Sequence, residues 1–297
     1  LSGGLDSSLV VSIASNYLQK RGKKLSTFSI GMKGSTDKYY AELVSKHCNT
    51  NHKHIELKNE DFFNAIDDII KITETYDITT IRASVGQYLI SKWISENTDI
   101  KVLLCGDGSD ELCSGYMYFH LAPNEIESHN ENIKLLNNIH FYDVLRADRC
   151  VSTNGLETRV PFLDHLFVDY YLSIEPKKRV PINRQEKWLL RKSFDINHEY
   201  LPKEVLWRKK EAFSDGVSSK NDSWHTMLKN KINKIYDIND LKNNNYKINK
   251  PISLESLYYR NKHVEYFGNV PKTIPYFWMP NWCENIKDPS ARVLTIY

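Results

Sequence analysis

Apolar residues in the first third of the chain recur at spacings that change from helical to strand-like and back. A first helix is predicted from apolar positions at helical spacing, namely Leu9, Val10, Ile13, Ala14 and Leu18. A second helix covers about residues 37–48, a third is capped by Asn59 and extends to Ile70, and a fourth covers about residues 84–95. After about residue 115 the pattern is mostly helical.

Strand signals lie between these helices. Apolar and polar residues alternate from Phe28 to Met32, and shorter apolar stretches follow over residues 54–57 and 102–105. Alternating strands and helices are typical of an α/β fold with a parallel sheet flanked by helices. In such sheets ligands bind at the carboxyl ends of the strands. We therefore expect an α/β core over residues 1–120 and a mainly helical half over residues 121–297.

Composition narrows the possible partners. The 297 residues carry a net charge of +3, which gives no reason to expect nucleic acid or a membrane surface. No apolar run approaches the roughly 20 residues needed to span a bilayer. The five cysteines are odd in number and scattered, which favours reduced thiols in a cytoplasmic protein. The first residue is not methionine, and we expect the chain to be part of a longer protein.

The first residues predict a phosphate-binding loop. Residues 2–8 read SGGLDSS and precede the first helix. Glycines let backbone N–H groups approach an anion closely, and a helix N-terminus adds partial positive charge. Asp6 fits beside phosphate if it holds a bridging magnesium ion. The loop lacks the lysine of a Walker loop and resembles that of the N-type ATP pyrophosphatases, which adenylate a substrate. An ordinary capped helix start is the alternative interpretation.

A second, acidic loop follows the strand at residues 102–105. Residues 105–111 read CGDGSDE, with carboxylates at Asp107, Asp110 and Glu111. Three carboxylates held together in a glycine-containing turn favour a bound cation. The functional interpretation is a second magnesium ligand and a wall of a nucleotide and acyl pocket. The alternative is a solvated acidic turn.

Several motifs in a fixed order carry a more specific resemblance. The chain is similar, along nearly its whole length, to the synthetase domain of glutamine-hydrolysing asparagine synthetases. The matching stretches are residues 1–8, 74–84, 106–111, 115–120, 155–164, 186–187, 207–211, 213–216, 278–280 and 288–292. The resemblance implies a carbon–nitrogen ligase with an ATP-pyrophosphatase, HUP-like fold over residues 1–297, in which residues 1–120 bind the nucleotide.

The resemblance implies a two-step reaction. The side-chain carboxylate of aspartate attacks the α-phosphate of ATP, which gives β-aspartyl-AMP and pyrophosphate. Ammonia then attacks the acyl carbon and releases asparagine and AMP. In this family the ammonia comes from an N-terminal glutaminase domain, which is absent from this chain. Mg²⁺ accompanies ATP, and the resemblance also allows a homodimer.

The resemblance also implies roles for individual residues. Those expected to contact ATP are Leu1, Ser2, Gly3, Gly4, Asp6, Ser7, Ser8, Ile30, Cys105 and Gly106. Asp6 and Asp110 are expected to bind magnesium. The residues expected at the aspartate site are Thr79, Thr80, Arg82 and Glu111, and those expected to act in catalysis are Asp107, Lys187 and Arg82.

The basic residues have an alternative interpretation. Arg191 lies one turn after Lys187 and is expected to assist it at the phosphates. An ordinary solvated basic face would give the same pattern at Lys187 and Arg191. Arg208, Lys209 and Lys210 carry the same ambiguity.

The acidic loop departs from the family at two positions. Cys105 stands where the family has serine, and Asp107 stands where it has a glutamate linked to intermediate formation and ammonia deprotonation. Aspartate is one methylene shorter, and proton transfer needs the acceptor within hydrogen-bond reach. The loop could shift inward, a water could bridge the gap, or the synthetase step could be weakened.

Two other functions remain open from the sequence. A related adenylating enzyme of the β-lactam synthetase type would close a ring within one substrate and use no ammonia, but residues 79–82 favour aspartate. A nucleotide-binding protein that has lost synthesis is the second alternative, and Asp107 motivates it.

Overall fold

Four short parallel strands form two pairs in the described part of the chain. The computed structural model describes residues 1–196, 199–219 and 223–283. Strand β1 (Ser26–Gly31) pairs with β2 (Asn51–Glu56), and β3 (Val102–Leu104) pairs with β4 (Glu157–Arg159). The three predicted strands are confirmed with shifts at their ends, whereas sequence patterning does not predict β4. The parallel pairing confirms an α/β protein.

Five helices alternate with or follow the first strands. They are α1 (Leu5–Gln19), α2 (Thr36–His47), α3 (Asn59–Asn64), α4 (Ile66–Thr73) and α5 (Ile78–Asn97). The single helix predicted after Asn59 is wrong: it is broken at Ala65, and the break lets Phe62 and Ile66 face one core, where both are fully buried. Asn59 does not cap α3, because the Lys58 N–H donates to Asp61 at the preceding position.

Helix α5 begins six residues earlier than the spacing predicts. Asp77 caps it by accepting hydrogen bonds from the Thr80 N–H at 2.8 Å and the Thr79 hydroxyl at 2.5 Å. Such a cap is worth about 1 kcal/mol and fixes the first turn. The first turn of α5 therefore contains the residues that the sequence assigns to substrate.

The second half of the chain is mostly helical, as predicted. Its helices are α6 (Ser109–Leu112), α7 (Glu125–Asn138), α8 (Asp143–Ser152), α9 (His165–Ser173), α10 (Pro176–Arg179), α11 (Trp188–Ser193), α12 (Lys203–Leu206), α13 (Phe213–Gly216), α14 (Trp224–Ile232), α15 (Ile238–Asn243) and α16 (Leu254–Phe267). Short 3₁₀ turns occupy Met117–Leu121, Ile139–Phe141, Pro161–Leu163, Pro271–Thr273 and Asn281–Cys283. Among the described residues no helix combines the length and apolar character required to cross a bilayer. The division at residue 120 stays a prediction.

Helices of the second half pack against both sides of the first. One apolar core joins β1, α4 and α5 to α14 and α16 through residues such as Ile81, Trp224 and Tyr259. A second core joins α1 and α2 to α11 and α12 through residues such as Leu9 and Leu190. Each fully buried apolar side chain contributes about 1.5–3 kcal/mol relative to exposure. This packing carries side chains from distant parts of the sequence to the ends of the strands.

Candidate active site

A cavity of about 300 Å³ lies at the carboxyl ends of β1 and β3. Ligands of parallel α/β sheets bind at this edge. Most residues predicted for the site line the cavity: Leu1, Ser2, Gly4, Asp6, Ser7, Ile30, Thr79, Arg82, Cys105, Gly106, Asp107, Asp110, Glu111 and Lys187. The fold therefore brings the two predicted loops, the start of α5 and the predicted lysine to one place.

Gly3, Ser8 and Thr80 lie behind the cavity wall. Gly3 has φ +73°, and a Cβ there would lie 2.4 Å from the Tyr40 Cβ, so this position admits only glycine. Ser8 and Thr80 are fully buried. The structure thus assigns these three residues to the support of the two segments, and their predicted ligand contacts stay predictions.

The first loop folds back on itself at the start of α1. The Ser2 N–H donates to the Ser7 hydroxyl at 3.1 Å, and the Gly4 N–H donates to the Ser2 hydroxyl at 3.2 Å. No side chain caps α1, whose N-cap residue is Gly4. The alternative of an ordinary side-chain-capped helix start is therefore wrong. A glycine-rich loop that opens an uncapped helix is suited to bind an anion.

Lys187 joins the two loops. Its Nζ lies 2.5 Å from Asp6 Oδ1 and 2.6 Å from Asp110 Oδ1, and the side chain is only 1% exposed. Burial lowers the pKa of Lys187, but Asp110 and Asp6 outweigh it and hold that pKa above its usual value. Gly115 permits this approach, since a Cβ there would lie 2.1 Å from Lys187 Cε. The ammonium is therefore a fixed positive charge in the cavity wall.

The other basic residues have separate roles. Arg191 is buried and pairs with Glu186, so a solvated basic face is wrong for both Arg191 and Lys187. Lys210 Nζ lies 2.5 Å from Asp110 Oδ2, which adds a second cation to the acidic loop. Burial alone would raise the pKa of Asp110, but Lys187 and Lys210 lower it below its usual range. Asp110 therefore stays ionised at neutral pH.

The two predicted magnesium ligands lie on either side of Lys187 Nζ. Among the described ranges no group of three or more histidine, cysteine, aspartate or glutamate side chains is arranged to hold a metal ion. Mg²⁺ usually takes one or two protein carboxylates and completes its octahedron with waters and substrate phosphates. Asp6 and Asp110 fit that kind of site.

Asp107 is held by an arginine that the sequence does not single out. Arg146 Nη2 donates to Asp107 Oδ1 at 2.6 Å and lies 3.4 Å from Asp143 Oδ1. Burial raises the pKa of Asp107 even though Arg146 lowers it. Burial and the nearby Asp107 also raise the pKa of the Cys105 thiol to about 12, so Cys105 is uncharged. The shorter acidic side chain therefore has a cationic partner of its own.

A buried acidic group lies beside this pair. The Tyr116 hydroxyl is 2.5 Å from Glu111 Oε1 and 2.8 Å from Asp143 Oδ2. A phenol has one hydrogen to donate, so it cannot satisfy two carboxylates at once. Burial and Asp143 raise the pKa of Glu111 well above its usual value. Glu111 is therefore held protonated, and the alternative of a solvated acidic turn is wrong.

Arg82 lines the cavity but its guanidinium is already engaged. Nε donates to Glu255 Oε1 at 3.1 Å and Nη2 donates to Glu255 Oε2 at 2.6 Å. Both side chains are buried. The predicted fork-to-carboxylate pairing is thus made with a residue of the protein.

Sequence reasoning missed Arg146, Asp143 and Glu255. Arg146 lies 39 residues from its partner Asp107, and Glu255 lies 173 residues from Arg82. No local motif marks these positions. An arginine and an aspartate three residues apart in α8 are compatible with an ordinary surface ion pair, and only the fold shows that they reach the cavity.

The fold and the site define an α/β protein with a charged ligand-binding cavity at its strand ends. The asparagine synthase family matches residues 1–138 and 124–263, and the chain belongs to that family. The motif predicted at residues 278–280 places Trp278 on the cavity wall, whereas residues 288–292 lie outside the described residues.

Named relatives agree with the family assignment. Glutamine-hydrolysing asparagine synthetases of Gallus gallus and Homo sapiens are each 45% identical to this chain over 301 residues, and that of Bos taurus is 46% identical over the same length. Each similarity covers 100% of this chain and 53% of the relative. The chain therefore spans about half the length of the relatives it matches.

Proposed function

We propose that this chain is the synthetase part of an ATP-dependent ligase that makes asparagine from aspartate through β-aspartyl-AMP. The observation that carries the proposal is the meeting of both loops at Lys187, whose Nζ contacts Asp6 and Asp110 beside the substrate segment of α5. Three parts of the chain, each assigned to a different part of the reaction, share one cavity.

The nucleotide belongs at the loop end of the cavity. In this proposal the N–H groups of residues 2–8 and the start of α1 hold the pyrophosphate, as expected for an ATP-pyrophosphatase, HUP-like fold. Asp6 and Asp110 would hold Mg²⁺, which would neutralise phosphate charge. Lys187 and Lys210 would stabilise the negative charge that develops at the α-phosphate and on pyrophosphate.

The acyl group belongs between Thr79 on α5 and Asp107 on the acidic loop. In the proposed second step Asp107 accepts a proton from the attacking ammonia, with Arg146 fixing its carboxylate. The relatives are named as glutamine-hydrolysing, which supports an N-terminal glutaminase domain as the source of ammonia. The division into residues 1–120 and 121–297, a homodimer and a cytoplasmic location belong to the same proposal.

The test is AMP formation by the full-length protein that contains this chain. With MgATP, aspartate and ammonium, we expect equal amounts of AMP, pyrophosphate and asparagine. Omitting aspartate should remove all three products. Larger β-amino acids in place of aspartate test the β-lactam synthetase type, and ATP binding without AMP formation would indicate a protein that has lost synthesis. Either of those two results would overturn the proposal.

A further inference from the structure

Helix α16 holds the guanidinium of Arg82 from the side opposite the cavity. Glu255 lies in the first turn of α16 and binds Arg82 through two hydrogen bonds, at 3.1 and 2.6 Å. The Tyr259 hydroxyl, one turn later, donates to Glu255 Oε1 at 3.0 Å. Burial and Glu255 raise the pKa of Tyr259 well above its usual value, so the phenol keeps its hydrogen. Glu255 is thus fixed by three hydrogen bonds.

Two further contacts tie α16 to the segment that leads into α5. The Arg260 guanidinium lies 4.0 Å from the centre of the Tyr76 ring, and His263 Nε2 lies 3.2 Å from the Glu74 carbonyl oxygen. Both Arg260 and His263 are 1% exposed. One face of α16 therefore supports the whole segment that the sequence assigns to aspartate.

The orientation of Arg82 depends on this support. A guanidinium is planar, so two hydrogen bonds to one carboxylate fix both its plane and its rotation. Arg82 is 3% exposed and reaches the cavity with the part of its side chain that Glu255 leaves on that side. A carboxylate at position 255 therefore determines where the cavity wall presents positive charge.

We infer that Glu255 is a positioning residue that sets the affinity of the cavity for the amino acid substrate by fixing Arg82. The inference rests on the proposed function, because it concerns the aspartate end of that site. Glu255 touches no reacting atom; it acts through Arg82. The nucleotide end, which Lys187 and the first loop form, does not depend on it.

The test is a comparison of Glu255→Gln with wild type in steady-state kinetics. Glutamine keeps the length but loses the charge, and we expect the KM for aspartate to rise about 10- to 100-fold, as for a misplacement near 1 Å. The KM for ATP should stay within about twofold, since the phosphates lie at the other end. Glu255→Asp, which keeps the charge, should raise the KM for aspartate less than Glu255→Gln does.

Two more variants separate positioning from stability. Glu265→Gln changes an exposed glutamate on the same helix and should leave both KM values unchanged. Tyr259→Phe removes one hydrogen bond to Glu255 and should raise the KM for aspartate about fivefold, the effect of one lost hydrogen bond. If Glu255→Gln shows no cooperative melting transition, Tyr259→Phe decides the question.

The outcomes distinguish this inference from the proposed function. Wild type that makes no AMP from aspartate and ATP overturns the proposed function and the inference together. Wild type that is active, with a KM for aspartate unchanged in Glu255→Gln or, if that variant is unfolded, in Tyr259→Phe, overturns the inference alone. Equal increases in both KM values with a lowered melting temperature would show a purely structural role and also overturn it.

Discussion

The two ends of the cavity treat their carboxylates in opposite ways. At the loop end, Lys187 and Lys210 keep the pKa of Asp110 below its usual range although burial acts against them. At the acyl end, burial raises the pKa of Asp107 and of Glu111. The loop end therefore holds permanent charge, which suits phosphates and a divalent cation. The acyl end holds groups that exchange protons, which suits the deprotonation of an amine.

The largest effect should come from breaking the loop end. Lys187→Met removes the buried cation between Asp6 and Asp110, and loss of one preorganised donor at a charged transition state costs about 100- to 1000-fold in rate. The measurement is kcat for AMP formation. Lys192→Met is the matched control, because Lys192 is exposed on the same helix and should keep wild-type activity. A Lys187→Met variant with near-normal kcat would remove the loop end from the proposed chemistry.

Asp107 tests the proton-exchanging end. Asp107→Ala removes the proposed proton acceptor, and general-base catalysis contributes about 100-fold or more, so kcat for asparagine formation should fall by at least that factor. Asp107→Glu restores the family residue and should leave kcat equal to wild type or higher. Asparagine formation by Asp107→Ala at the wild-type rate would exclude Asp107 from the mechanism.

Arg146 should tune Asp107 through charge. Arg146→Met removes the cation 2.6 Å from Asp107, so the pKa of Asp107 should rise further and the acid limb of the pH–rate profile should move to higher pH. We expect kcat at neutral pH to fall about 10-fold, roughly one pH unit of lost ionisation. Arg149→Met on the same helix is the control, since Arg149 is half-exposed and pairs with Glu74. An unmoved acid limb would contradict the role given to Arg146.

The comparison of the two ends also explains what could be predicted from the sequence. The loop end follows from local patterns, because residues 2–8 and 105–111 each carry their chemistry within one short stretch. The acyl end depends on partners that only the fold brings close, such as Arg146 for Asp107 and Glu255 for Arg82. Helix spacing cannot predict this, because it reports which face is apolar and not what lies across from a buried charge.

The break in the helix predicted after Asn59 has a similar cause. Apolar residues from Phe62 to Ile70 keep helical spacing across Ala65, so the pattern alone predicts one continuous helix. The core formed with α14 and α16 bends the chain there, and Phe62, Ile66 and Ile69 all become fully buried. Tertiary packing thus overrides a local preference that is worth only tenths of a kcal/mol per residue.

The smallest expected effect is on stability and follows from the raised pKa of Glu111. A carboxyl group whose pKa is raised in the folded state contributes stability that is fully present below its unfolded pKa and is lost as pH rises through its folded pKa. Wild type should therefore lose melting temperature as pH rises from about 5 to 8, in part because the buried Glu111 must either stay protonated or ionise beside Asp143.

Glu111→Gln isolates this contribution. The amide is neutral at every pH and can still accept a hydrogen bond from Tyr116, so the fall in melting temperature between about pH 5 and 8 should be smaller than in wild type. A difference of about 1 kcal/mol corresponds to about 2 °C for a chain of this size. Glu127→Gln, an exposed change on α7, should leave the wild-type pH dependence intact. If Glu111→Gln loses melting temperature with pH as steeply as wild type, Glu111 does not carry the raised pKa, and the contrast between the two ends rests on Asp107 alone.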